Sequence, residues 1–115
     1  MKAAASGLTT PEANNVWQNG KKTTTPLFHL SFISSNTPHS RWRIQVPKKI
    51  IVLSTSRNRS RRIIREALRG IEGKLISQGL GIITVKQPVY EFKMLEVQQK
   101  LVTLLTQAQL LTKNL

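Results

Sequence analysis

Residues 57–69 read RNRSRRIIREALR, and the way this string winds decides how the rest of the chain is arranged. Wound as an α-helix at about 100° per residue, Ile63, Ile64, Ala67 and Leu68, continued by Ile71 and Leu75, gather on one arc. That arc is roughly 140° wide, suited to a helix that covers a core. Arg61, Arg62, Arg65 and Arg69 fill the adjoining arc of about 100°, with Arg57 at its edge. The spacing therefore predicts an amphipathic helix over residues 57–75 with a cationic flank. The hydroxyl residues Ser54, Thr55 and Ser56 just before it suit its N-terminal cap. Glu66, inside the arginine run, reads as an ion-pair partner for Arg62 or Arg69.

Such a helix needs an apolar surface to lie on, and the flanking sequence supplies strands. Residues 26–34, PLFHLSFIS, alternate: Phe28, Leu30 and Phe32 on one side, His29 and Ser31 on the other. After a turn at NTPHS, residues 41–46 alternate again, with Trp42, Ile44 and Val46 opposite Arg41, Arg43 and Gln45. The two runs are expected to pair as an antiparallel hairpin with one core face and one arginine-bearing face. Upstream, Pro11 and Glu12 open a short helix through Trp17 that stops at Gly20. Downstream, Gly79 and Gly81 read as connection, and IITV at 82–85 as a buried β-branched strand ended by Pro88. From Phe92, a last helix stacks Met94, Val97, Leu101, Leu104, Leu105, Ala108 and Leu111 on one stripe. The expected class is α+β, a single-domain sandwich in which a small sheet packs with helices. Residues 13–115 form this domain and residues 1–12 a flexible N-terminus.

The charge says what the domain meets. Across 115 residues, 18 Lys+Arg stand against 5 Asp+Glu, a net charge of +13 that repels itself unless a polyanion offsets it. Eleven of the basic residues fall between positions 41 and 74, and from Arg41 to Arg65 there is no acid at all. A surface made basic for solubility would mix the signs; a clustered stripe is the footprint of phosphate binding. Six of the thirteen residues in 57–69 are arginine, whose planar fork donates two parallel hydrogen bonds to a phosphate. Asn58, between two of them, can donate to a sugar or base edge.

Other chemistries lack their residues. Cysteine and aspartate are absent, the five glutamates are scattered, and His29 and His39 have no third ligand nearby, so neither a protein-borne metal site nor an acid–base pair is indicated. Gly70, Gly73, Gly79 and Gly81 lack phosphate-loop spacing and read as helix-end and turn glycines. With no apolar run of about 18 residues and no secretory apolar core at MKAAASGLTT, the expected location is cytoplasmic, away from membranes.

The string RNRSRRIIREALR resembles the signature of the bacterial ribonuclease P protein component. That signature runs RNR, a variable residue, a basic pair, two apolar residues, then Arg-Glu with a small and an apolar residue. Four further blocks are similar to the family in order and spacing: VWQNGKKTTTPLF at 16–28, RWRIQVPKK at 41–49, IITVKQP at 82–88 and the helix from Phe92 to Leu111. The chain departs from the family pattern at IIVLSTS before RNR, at Pro47, and at Ala13 and Ser31, where aromatics are usual.

The resemblance implies a fold of order α-β-β-β-α-β-α with a left-handed βαβ crossover, of the ribosomal protein S5 domain 2-like kind, against the usual hand. It implies the protein subunit of ribonuclease P, an endoribonuclease in which a large RNA holding Mg2+ carries the catalysis and cuts the 5′ leader from precursor tRNA. Arg57, Asn58, Arg59, Arg61, Arg62, Arg65, Arg69, Lys48 and Lys49 are then expected to bind the catalytic RNA. Trp17, His29, Ser31, Arg41, Arg43 and Lys86 are expected to line the leader cleft. Ribonuclease P RNA and precursor tRNA are the partners, and no protein partner is required. The alternative is a structural or ribosomal RNA-binding protein of similar build. A helix-turn-helix DNA binder is disfavoured because strands precede the arginine helix.

Overall fold

The computed structural model describes residues 8–35 and 39–111. Helix α1 (Thr10–Asn19) begins at a capping box in which Thr9 and Glu12 satisfy each other's backbone N–H groups, and it ends at Gly20. Strands β1 (Lys21–Thr24), β2 (Phe28–Ser34) and β3 (Arg41–Gln45) follow, then the long helix α2 (Ser54–Ile71), a 3-10 turn (Glu72–Lys74), β4 (Gly79–Val85) and α3 (Met94–Gln107). Residues 8–12 form α1's approach and first turn; residues 1–7 lie outside the described residues, as does most of the NTPHS turn.

The sheet order is β1-β2-β4-β3. The expected β2–β3 hairpin does not form: β4 lies between them, antiparallel to β2 and parallel to β3. The reason is burial. Strand β4 is covered on both faces and takes the centre, where a continuous β-branched run belongs, whereas the alternating β3 is half-buried and sits at an edge.

Both faces of the sheet are covered. On one, Phe28, Leu30, Ile44, Ile83 and Val85 pack against Ile64, Ala67, Leu68 and Ile71 of α2 and Val97, Leu101, Leu104 and Leu105 of α3. The two helical stripes read from sequence are thus core. On the other face, Ala13 and Val16 of α1, with Leu8, rest on Leu80 and Ile82. The face expected to bear arginine therefore also carries a second, smaller core.

Two glycines permit close approaches. Gly81 of β4 pairs with Phe32 on one side and Trp42 on the other, and their rings meet across it with centroids 5.8 Å apart, in the space a side chain would take. It is a strand residue, as is Gly79, and neither is the connection expected. Gly70, inside α2, leaves room for Gln98 of α3, whose Nε2 donates to the Ala67 carbonyl at 3.1 Å.

Candidate RNA interface

Helix α2 starts three residues before the expected point. Ser54, Thr55 and Ser56 are its first turn, the cap position is Leu53, and no side chain caps it. Along the helix, Ser60 lies within the buried stripe, its hydroxyl donating to the Ser56 carbonyl at 2.8 Å. The opposite flank carries the arginines. Arg59, Arg62, Arg65 and Arg69 are exposed, and Arg61 is half-buried, its Nη1 donating to Asn58 Oδ1 at 2.9 Å. That bond engages the amide oxygen of exposed Asn58 and leaves its nitrogen as a donor.

Arg57 behaves differently. Its Nη1 donates to the carbonyls of Ile51 (3.0 Å) and Val52 (2.6 Å), tying the crossover from β3 to the start of the helix. Lys48 and Lys49 are exposed on the turn that opens this crossover. Among the described residues, no acid lies within ion-pair distance of any α2 arginine; the expected pair of Glu66 with Arg62 or Arg69 does not form, and Glu66 is exposed. Unpaired guanidinium groups on one flank of a rigid helix are free to meet phosphates.

The α1 side is built from other contacts. Arg41 pairs with Glu12, and Arg43 Nη2 donates to the Leu8 carbonyl at 2.9 Å, so both arginines fasten α1 and its approach to edge strand β3. Trp17 and His29 stack, ring centroids 6.3 Å apart and 13° from parallel, both partly exposed. His29 Nδ1 shares a hydrogen bond with Thr24 Oγ1 at 2.8 Å. Burial, then Lys22 and Lys86, lowers the imidazole below its ordinary range and favours the neutral ring. Those two lysines are themselves held, Lys22 Nζ donating to the Trp17 carbonyl (2.6 Å) and Lys86 Nζ to that of Thr25 (3.0 Å).

Ser31, expected in the cleft, is fully buried, and its hydroxyl has no protein partner. Ala13 is 2 % exposed. Both small residues lie where α1 meets the sheet, so their place offers no accessible surface. The accessible rings on this side are Trp17 and His29. Among the described residues, no three His, Cys, Asp or Glu side chains converge into a metal cradle, and no helix is long and apolar enough to cross a membrane.

A four-stranded mixed sheet with an arginine-flanked crossover helix defines a basic α+β domain whose helix flank suits a phosphate-bearing polyanion. The comparisons with known proteins place it more narrowly. The model of the ribonuclease P family matches residues 2–109. A ribonuclease P protein component of Vibrio vulnificus is 34% identical over 80 residues, which cover 69% of this chain and 68% of the relative. The chain belongs to the family of bacterial ribonuclease P protein components. Its fold is shared by the solved Staphylococcus aureus RNase P protein (TM-score 0.78, 21% identity, 91% of this chain and 95% of that one). It is shared likewise by the Thermotoga maritima protein (TM-score 0.76, 22% identity, 88% and 96%). Family membership makes this chain the protein subunit of a tRNA-processing ribonucleoprotein whose partner is ribonuclease P RNA.

Proposed function

We propose that the chain seats the exposed flank of α2 and the Lys48–Lys49 turn on the catalytic RNA, and presents the α1 side to the single-stranded leader of precursor tRNA. The observation that carries this reading is the set of α2 arginines with no acid paired to them among the described residues. Neutralising crowded phosphates lets RNA and precursor approach and favours Mg2+ occupancy at lower bulk concentration. The metal, held mainly by the RNA, supplies the hydrolytic chemistry, and the protein contributes charge and position.

On the leader side, the stacked Trp17–His29 pair is the base platform, neutral and flanked by two lysines whose directions are fixed by backbone carbonyls. Stacking is tolerant of base identity, as a variable leader requires. Arg41 and Arg43 act on this side by holding α1 in place. The complex works in the cytoplasm without a second protein. Reconstitution tests the proposal: the chain is expected to restore precursor-tRNA cleavage to ribonuclease P RNA at magnesium concentrations where the RNA alone is slow. Binding to that RNA without any gain in cleavage would reduce the chain to a structural RNA-binding protein.

A further inference from the structure

Where the crossover enters α2, the chain holds two aliphatic side chains out in solvent: Val52 is 74% exposed and Leu53 66%. Their neighbour Ile51 is buried and Ile50 packs on the core, so the turn itself is anchored. The N–H groups of Ile50 and Ile51 donate to the Pro47 carbonyl at 3.0 and 3.1 Å, and the Leu53 carbonyl accepts the Arg57 N–H at 3.0 Å. The Arg57 guanidinium closes the other side on Ile51 and Val52. Val52 and Leu53 are thus a fixed apolar knuckle, displayed at a cost in hydration that burial would relieve.

Its surroundings select what covers it. Exposed Lys48 and Lys49 precede it, and Thr55, Ser56, Arg59 and Arg62, which follow it, line a groove of about 330 Å³. A second copy would bring another +13 to the same place, which opposes self-association. A polyanion fits the charge. A duplex keeps its bases stacked inside and offers an aliphatic side chain little but phosphate and sugar, whereas an unstacked nucleotide offers the face of a base.

We propose that Val52 and Leu53 pack on an unstacked nucleotide in a non-helical segment of the partner RNA, whose neighbouring phosphates lie on Lys48 and Lys49 and in the groove of Arg59 and Arg62. This rests on the reading that α2 seats on the catalytic RNA. It assigns the crossover a contact that depends on shape and apolar area and not on charge.

The test uses the full chain with ribonuclease P RNA. Replacing Val52→Ser and Leu53→Ser together is expected to weaken binding about tenfold, the order set by burying one or two aliphatic groups. The loss should be the same at every salt concentration, because no phosphate contact is removed, and the melting temperature should hold. Because the chain has no cysteine, Leu53→Cys gives a unique thiol for a short photo-crosslinker, expected to mark unpaired nucleotides. Unchanged affinity of the double variant, a changed salt slope, or crosslinks confined to paired nucleotides would each overturn the inference while leaving the α2 interface standing. So would a dimer of the free protein that the double variant abolishes without touching RNA affinity. Failure of the unsubstituted chain to bind the RNA at all would instead sink the proposed function beneath it.

Discussion

The crossover helix and the N-terminal helix both lie among basic side chains, but the two regions use them differently. On α2 the side chains of Arg59, Arg62, Arg65 and Arg69 are exposed, with no acid within ion-pair distance of them among the described residues. Around α1, Arg41, Arg43, Lys22 and Lys86 each hold a partner within the chain, a carboxylate in one case and backbone carbonyls in the others. One region presents charge and the other is assembled by it. A count of basic residues therefore overstates how many phosphates a protein meets, and the salt dependence of binding should report mainly α2.

The sharpest way to break the comparison is to ask whether the α2 flank has a folding role. Ile64 is fully buried under the sheet, and Ile64→Ala is expected to destabilise by about 2 to 5 kcal/mol, the cost of a core cavity. Arg65→Ala, on the exposed flank, should leave the denaturation midpoint where it was and weaken RNA binding. Chemical denaturation alongside a filter-binding titration reads both. If the arginine variant unfolds and the isoleucine variant only loses affinity, the faces of α2 have been assigned the wrong way round.

Salt titration sharpens it further. With five or six phosphates neutralised at about 0.7 to 0.9 per contact, log K should fall against log salt with a slope near −4. Arg65→Ala and Arg69→Ala should each make the slope shallower by about one contact, and Arg43→Ala, which loses a carbonyl and not a phosphate, should leave it unchanged. A slope shallower than about −2 in the unsubstituted protein would mean that the arginine flank is not the interface.

The α2 side was legible because a single period carries it: apolar residues and arginines fall on separate arcs of one helix, and the apolar stripe of α3 is read the same way. The strand order was not legible from alternation, because β2 and β3 each alternate as hairpin partners would. The signal that could have placed them was the unbroken IITV of β4, which marks a central strand. The cap of α2 was misplaced because hydroxyl residues suit a cap and a first turn alike. Alternation puts Ser31 on the side of β2 away from its apolar residues and the resemblance puts it in the leader cleft; only the packing of α1 over β2 reveals that it is buried. Trp17 and His29 lie apart in sequence, one on a helix and one on a strand, and nothing in either segment announces that their rings meet.

On the α1 side, Trp17→Ala should reduce the preference for precursor over mature tRNA by about 1 to 3 kcal/mol, the worth of one stacked base, with the salt slope unaltered. Aromatics placed at Ala13 and Ser31, where the resemblance makes them usual, would meet a packed interface. Ala13→Phe with Ser31→Tyr should destabilise the fold by about 1 to 3 kcal/mol through overpacking. Comparative binding of precursor and mature tRNA by holoenzymes, with melting curves of the free proteins, distinguishes the two effects. An undiminished preference in Trp17→Ala would move the leader contact away from this pair.

The smallest expected effect concerns how α1 is held. The Glu12 carboxylate accepts the Thr9 backbone N–H and pairs with Arg41, and these two contacts, the first above all, lower it from the usual value of 4.5. A carboxylate whose folded pKa lies below its unfolded one stabilises the fold above the unfolded value, and that contribution is lost as pH falls through the folded value. Melting temperature should therefore drop as pH is lowered below about 4.5, beyond the loss common to a protein gaining charge. Glu12→Gln keeps a side-chain acceptor for the cap but cannot ionise, so its melting temperature should lack that extra drop. Because the pair is partly exposed and screened by water, the difference should be modest and should shrink in high salt. Arg41→Ala removes one of the two causes and should retain part of the pH dependence, since the Thr9 N–H still favours the charged carboxylate. Identical acid profiles for the unsubstituted chain and Glu12→Gln would show that the charge on Glu12 adds nothing to holding α1, leaving Arg41 as free to meet RNA as the arginines on α2.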